Sequence, residues 1–373
     1  MERVVLVFGW GSILLAFLTY LTFVLPCHVR TRLQAIAAMI LLLGGMKFIG
    51  YYYFGKSAFN PEFPVALIRV WDVLHATVVF LFLLSIVFFF LRPRVKFILL
   101  PILSLGLAIW GCVNAVQVPD VREVTIRSAR VPAELDGYRI VHLSDLHISS
   151  ALRRPWVRAL VKRVNDLHPD LIACTGDYVD GRVAQRVADV FPLRSLSAPD
   201  GVWYVTGNHE YYRDSLAWQT WFENNGFRFL HGEAVTVRSG LSLIGVDDSQ
   251  AYYTKPSTPM VGDAMRQLSA TNTNYTILLQ HRPLYARVNL TAYPVDLQLS
   301  GHTHGGIFPG LRSLVGRVNN GFVKGTYTIG SKNLNVSSGA GIWAGFPIRL
   351  FTPSEITLIT LKSAPAQAAQ TAD

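Results

Sequence analysis

The sequence predicts four membrane-spanning helices followed by an α/β domain with a layered sheet core. Three observations lead there. The first 119 residues hold four long apolar runs and only nine Lys/Arg against three Asp/Glu. From Tyr138 onward, short apolar runs alternate with amphipathic stretches, the pattern of strand followed by helix. Several of those apolar runs end in a loop carrying Asp, Asn or His, and buried parallel strands deliver functional groups at their carboxyl ends.

The four spans are expected at 4–25, 33–54, 65–91 and 97–116, each near the roughly 20 residues that a helix needs to cross a bilayer. The first is long for a signal peptide and lacks a small-x-small cleavage site. Leu25-Pro26-Cys27 is a poor lipobox, so Cys27 reads as unmodified. Arg30 and Arg32 follow span one, and Arg92, Arg94 and Lys96 follow span three, whereas the second loop holds little besides Lys56. By the positive-inside rule the first and third loops face the cytoplasm. The domain after span four then faces outward, with Arg122, Arg127 and Arg130 as a counterweight. Localisation is expected to be the cell membrane, multi-pass.

Lys47 and Asp72 lie within spans two and three, at matching depths of an antiparallel hairpin. An unpaired charge there costs ~2.5–3.5 kcal/mol on insertion scales, so an ion pair is expected. His75, one turn beyond Asp72, leaves a proton or ligand site open as the sharper reading.

Residues 118–137 read as a connector, with Val124 to Val131 alternating as a strand. The domain spans 138–362. Strands are expected at Arg139–Ser144, Leu171–Cys174, Val202–Val205, Ala234–Val237, Leu241–Val246, Tyr275–Leu279, Val295–Leu299, Asn333–Ser337 and Glu355–Leu361, and helices at Pro155–Leu167, Val183–Phe191 and Leu216–Asn224. Gly305 to Gly330 is glycine-rich and reads as loop, and 363–373 as a disordered tail.

The hydrophobic share is 51% and the mean hydropathy +0.31. The net charge of +10 and pI of about 9.6 owe much to residues flanking the spans. There is no basic stripe, and nucleic acid is not expected as a partner. Three cysteines make no disulfide framework.

The chemistry lies in five clusters: Asp145-Leu146-His147, Gly176-Asp177-Tyr178-Val179-Asp180, Gly207-Asn208-His209-Glu210, Gln280-His281 and Gly301-His302-Thr303-His304. A two-metal hydrolytic site needs ions ~3.5–4 Å apart that clamp the attacking and leaving oxygens. It also needs a carboxylate to bridge them. Mixed carboxylate, amide and imidazole ligands suit Mn, Fe or Zn. Asp145, His147, Asp177 and His304 are allotted to one ion, and Asp177, Asn208, His281 and His302 to the other. His209 is left as general acid, with Asp180 to orient it.

This ordered set resembles the calcineurin-like metallophosphoesterase superfamily over about residues 138–361. Gly301-His302-Thr303-His304-Gly305-Gly306, Gly339-x-Gly341 and Pro347-Ile348-Arg349-Leu350-Phe351 are similar to its membrane-associated YkuE/YaeI-type branch, which includes phosphodiesterases and UDP-2,3-diacylglucosamine hydrolases. The resemblance implies a four-layer α/β/β/α sandwich, a bridging hydroxide as nucleophile and the ligand allotment above. Ile307 stands where that branch is expected to have Gln.

Other residues carry plainer readings. His142, His168 and His231 are expected as structural or surface groups, and Asp247 and Asp248 as turn residues. Arg349 is a candidate for bidentate contact with a substrate phosphate, or for a structural salt bridge. Tyr178, Tyr211 and Tyr212 adjoin the ligand loops, as packing or as pocket wall. The expected function is membrane-bound, metal-dependent hydrolysis of a phosphodiester or pyrophosphate, on a lipid or other amphiphile. A non-catalytic metal-binding membrane scaffold or sensor is the alternative, and a transporter regulated by its folded domain the second.

Overall fold

The computed structural model describes residues 6–253, 260–268 and 274–364. The chain divides into two compact units. The first holds the residues up to Gln117 together with Ser149–Ala151 and Trp343–Leu350. The second holds Val118–Ile148, Leu152–Ile342 and the chain from Phe351 onward.

The first unit is helical. Helix α1 runs Leu6–Cys27 and departs from regular α geometry at both ends. α2 (Thr31–Gly45) and α3 (Lys47–Gly55) are bent by 56° at Met46. α4 covers Val65–Val87 and α5 Pro93–Ala115. Three of these helices are long and apolar enough to cross a membrane, or four if the bent pair forms one span. Span two was thus expected as one helix, 33–54, and is broken in the middle. Gly44 and Gly45 precede the bend, and a side chain at Gly45 would meet Ala16 and the Ser12 carbonyl. Small residues let helices approach this closely. Inside the break, Lys47 Nζ lies 2.8 Å from Asp72 Oδ1 and donates to Gly345 O at 3.0 Å. The expected ion pair is there, and both partners are buried.

The second unit contains two six-stranded sheets. Sheet one has the order β1-β12-β2-β3-β4-β5 and sheet two β10-β11-β9-β8-β7-β6. The strands of sheet one are Asp120–Ser128 (β1), Glu355–Ser363 (β12), Arg139–Leu143 (β2), Leu171–Cys174 (β3), Val202–Tyr204 (β4) and Phe227–Phe229 (β5). Those of sheet two are Gly325–Ile329 (β10), Lys332–Val336 (β11), Leu297–Ser300 (β9), Tyr275–Leu279 (β8), Leu241–Gly245 (β7) and Glu233–Arg238 (β6). The β2-β3-β4-β5 run is parallel, and so are β7-β8-β9-β11.

Alternate residues on a strand face opposite ways, and the two cores follow from that. Ile277, Leu279, Leu297 and Leu299 face Ile140, Leu171, Ala173 and Trp203 in one buried cluster between the sheets. Leu278, Ile244, Leu334 and Val336 point outward and pack on Ala264, Ala286 and Leu290, carried by Val261–Met265 and Ala286–Ala292. On sheet one, Arg154–Asn165 buries Val157, Leu160, Val161 and Val164. Helices outside two sheets that share a core make the four-layer α/β/β/α sandwich.

Several stretches differ from the expectation. The segment 118–137 is more than a connector, because β1 pairs in parallel with the whole of β12. Within Gly305–Gly330, a helix (Pro309–Val318) and β10 form where glycine content suggested loop. Ser363, placed in the tail, is the last residue of β12, and 365–373 lie outside the described residues.

Candidate metal centre

The parallel register of β2 and β3 sets Leu143 beside Cys174. The chains beyond them stay together, with Asp145 N donating to Gly176 O at 2.9 Å and His147 N to Asp177 O at 3.0 Å. Asp145, His147 and Asp177 therefore emerge side by side at the carboxyl end of sheet one. Val205 continues β4 and leads to Asn208 and His209, β8 leads to His281, and β9 leads to His302 and His304. Five strand ends from two sheets thus converge.

The backbone at these ends is unusual. Asp145, His147, Asp177, His302 and His304 all have positive φ, between 43° and 71°. This conformation costs an L-residue about 1–2 kcal/mol, and such strain clusters at functional sites. Two glycines make the crowding possible. A Cβ at Gly207 would collide with Asp177 Oδ1, and one at Gly301 with Asp145 Oδ2.

Asp145, His147 and His304 form one group of convergent ligand atoms, and Asp177, His281 and His302 another. His304 Nε2 is 3.2 Å from His147 Nε2 and 3.7 Å from Asp145 Oδ1. His302 Nδ1 is 3.2 Å from His281 Nε2. Asp177 Oδ2 lies 3.7 Å from His147 Nε2 and 3.3 Å from His281 Nε2. One oxygen thus faces both groups, as a bridging ligand must. A third group, His147, Asp177 and His209, also converges, because the His209 ring lies 4.6 Å from that of His147.

The donor set fits divalent cations on three counts. His281 Nδ1 donates to Thr175 O at 2.6 Å, and His147 Nδ1 faces Asp180 Oδ2 at 3.2 Å. Each contact fixes the tautomer that turns the Nε2 lone pair toward the site. Asn208 Oδ1 is buried without a hydrogen-bond partner, while its Nδ2 donates to Tyr212 Oη at 3.1 Å. An orphaned buried carbonyl is costly unless something binds it. Finally, His281 is pushed up to about 10, where burial opposes protonation but Asp177 outweighs it. A proton there supplies positive charge that a cation would otherwise bring. Burial lowers His302, and the positive charge of His281 lowers it further.

Asp180 orients two rings at once, since Oδ1 meets His209 Nδ1 at 2.6 Å and Oδ2 meets His147. Burial lowers His209, but Asp177 and Asp180 outweigh it and push it up to about 9. Asp180 itself is held well below the usual carboxylate range: burial raises it, and the two histidines overcome that.

A family model for calcineurin-like phosphoesterases matches residues 138–306. The chain is 32% identical over 257 residues to the uncharacterized metallophosphoesterase YkuE of Bacillus subtilis, covering 65% of this chain and 86% of that one. The chain belongs to the calcineurin-like phosphoesterase family. A transmembrane protein with metallophosphoesterase domain from Danio rerio is 34% identical over 277 residues, 70% of this chain and 62% of the relative. The chain spans just under two thirds of the length of the first such relatives. A dimetal phosphatase structure from Danio rerio aligns with a TM-score of 0.35 at 12% identity, over 55% of this chain and 88% of that one.

Within the family frame, several residues take roles that the sequence motifs left open. Glu210 is buried, and its carboxylate accepts from the N–H groups of Asp177 (2.9 Å), Tyr178 (2.8 Å) and Gly207 (2.7 Å), tying two ligand loops together. Arg282, next to His281, donates through Nε to Asp248 Oδ2 at 2.7 Å and is partly exposed. A cation directly after a ligand histidine was the readable signal for it. Tyr178 is packing, with Oη accepting from Gly176 N and donating to Val205 O. Tyr211 bonds Thr206, and Tyr212 is exposed beside His209. Asp247 accepts from Thr206 Oγ1 and pairs with His231. His142 is buried between the sheets, held by Thr175 and Asn335. Arg349 is not among the clustered residues. It is fully buried and belongs to the helical unit, where its N–H donates to Gly111 O. A guanidinium at 0% exposure presents no surface to a phosphate.

Proposed function

We propose that this chain is a multi-pass membrane phosphoesterase that hydrolyses a phosphodiester or pyrophosphate on an amphiphile, with its catalytic domain outside the cytoplasm. The observation that carries the reading is His209 held by Asp180 at 2.6 Å beside a full set of ligand atoms for two ions. Bound divalent cations, held by Asp145, His147, Asp177 and His304 and by Asp177, Asn208, His281 and His302, would neutralise phosphate charge and acidify water.

The chain's own residues do the rest. His209 gives Nδ1–H to Asp180, so the proton on Nε2 is the one available to the leaving oxygen. The Asp180 carboxylate, hydrogen-bonded to Nδ1, favours the protonated ring. Asp248 fixes the Arg282 guanidinium, whose remaining N–H groups suit a phosphate oxygen. This supports Arg282 over Arg349 as the arginine that meets substrate. The outward orientation rests on Arg30, Arg32, Arg92, Arg94 and Lys96. The amphiphilic substrate rests on the apolar helices of the same chain.

The test is Mn-dependent hydrolysis of bis(p-nitrophenyl) phosphate by the purified chain and by His209→Ala, with metal content measured in both. A loss of ~100-fold or more with metals retained is expected for a missing general acid. Equal rates would remove His209 from that role. Absence of hydrolysis in a wild-type chain that binds two metals would favour the scaffold. Orientation is read from a Ser363→Cys variant and a membrane-impermeant maleimide in intact cells, where labelling is expected; the three native cysteines are buried.

A further inference from the structure

The helical unit contains a polar cluster that the hydrolytic reading does not use. Lys47, Asp72 and Tyr51 form its closed half. Asp72 Oδ1 accepts from Lys47 at 2.8 Å and from Tyr51 Oη at 3.1 Å, and Lys47 also donates to Gly345 O. Within this trio the Lys47 and Asp72 charges pair with each other.

His75 forms the open half. It is 4% exposed and its Nδ1 lies 3.1 Å from Gly44 O. A carbonyl can only accept, so Nδ1 carries the proton and Nε2 of the neutral ring presents a lone pair. Among the described residues Nε2 has no hydrogen-bond partner. The ring lines a cavity of about 260 Å³ whose walls include Phe8, Phe48, Trp343 and Phe346, with Ser12 as a second polar side chain. The Phe48 and Phe346 rings stand edge-on to the imidazole at 5.3 and 6.3 Å.

An apolar pocket with an imidazole acceptor on its wall suits an apolar ligand with one donor. We infer that this cavity is a binding site for a neutral amphiphile, an alkyl chain ending in a hydroxyl group that donates to His75 Nε2. The aromatic walls take the chain. The Ser12 hydroxyl offers the ligand oxygen a donor in return. The site stands apart from the phosphoesterase reading and does not depend on it.

The experiment is photolabelling of the full chain in phospholipid nanodiscs with a diazirine-bearing long-chain alcohol, beside its methyl ether of equal length. Wild type is expected to take up the alcohol about fivefold more than the ether, the ratio for one neutral hydrogen bond. Crosslinks are expected on cavity residues such as Phe346. His75→Phe, which keeps a ring, should abolish the preference. Gly11→Leu should lower labelling by both probes. Gly11 lines the cavity, and a Cβ there meets nothing within 4 Å. Equal labelling by alcohol and ether in wild type overturns the proposal, and so does labelling that Gly11→Leu leaves unchanged or that spreads over lipid-facing residues.

Discussion

Asp180 serves two imidazoles with one carboxylate, and that makes it more than an accessory to the acid. On the proposed reading, removing His209 takes away a proton donor and leaves the allotted ligand atoms in place. Changing Asp180→Asn should cost on two accounts, because His147 loses the partner that fixes its tautomer. The expectation is a kcat loss comparable to that of His209→Ala and, in addition, Mn affinity weaker by about 10–100-fold, read by metal titration. Unchanged Mn affinity would confine Asp180 to the acid. His142 gives the opposite kind of test. Burial, and then the charge of Arg122, lower it to about 3. Its neutral form satisfies both nitrogens: Asn335 Nδ2 donates to Nδ1, and Nε2 donates to Thr175 Oγ1. A base whose folded pKa lies below its unfolded value of about 6.5 takes up its proton more readily when unfolded. Its contribution is therefore complete above pH 6.5 and is lost as pH falls toward 3, by up to about 1.4 kcal/mol per unit. The stability difference between wild type and His142→Gln, followed by chemical denaturation, should shrink over that window. The candidate ligands were legible because each is an acid, amide or imidazole just past an apolar run. The dual role of Asp180 and the loop clamp of Glu210 were not, since both depend on which loops meet in space.

At the scale of elements, the parallel strand pairs read clearly because fully buried strands such as Leu171–Cys174 leave a continuous apolar run. The segment after His304 read poorly, because its glycines mask a short turn that leads into a helix. That turn is strained. Phe308 N donates to Gly306 O across Ile307, which sits at φ 62°, ψ −56°. This is a γ-turn of the rare, strained hand, and a β-branched side chain suits it badly. Such strain costs about 1–3 kcal/mol, and glycine's extra freedom in the unfolded chain returns about 0.5–1 kcal/mol of that. Ile307→Gly should therefore stabilise the metal-free protein by roughly 1 kcal/mol, seen as a higher denaturation midpoint with an unchanged slope. A destabilised variant would mean that the Ile307 side chain contributes packing that outweighs its backbone cost.

Over the whole molecule, sequence order and structural membership part company. Ser149–Ala151 and Trp343–Leu350 lie within the stretch of sequence that reads as hydrolase, yet they belong to the helical unit. Nothing in a linear reading marks this, because an apolar loop segment looks the same whichever core it joins. One feature that ties the helical unit internally is the Lys47–Asp72 pair, whose ammonium also holds the Gly345 carbonyl. Breaking a buried pair strands a charge, whereas replacing both partners removes the problem with the contact. Lys47→Met alone should thus destabilise the helical unit by about 2.5–3.5 kcal/mol, the insertion cost of the stranded Asp72, and Lys47→Met with Asp72→Leu should recover most of it. Denaturant titration in detergent, following the helical signal, would measure both. The proposed metal ligands all lie in the other unit, so chelation should lower the stability of the sheets and leave the single and double variants ranked as before. If the double variant were as unstable as the single one, the Gly345 carbonyl, left without its ammonium, would be the larger loss. The pair would then matter chiefly as the anchor of the Trp343–Leu350 segment.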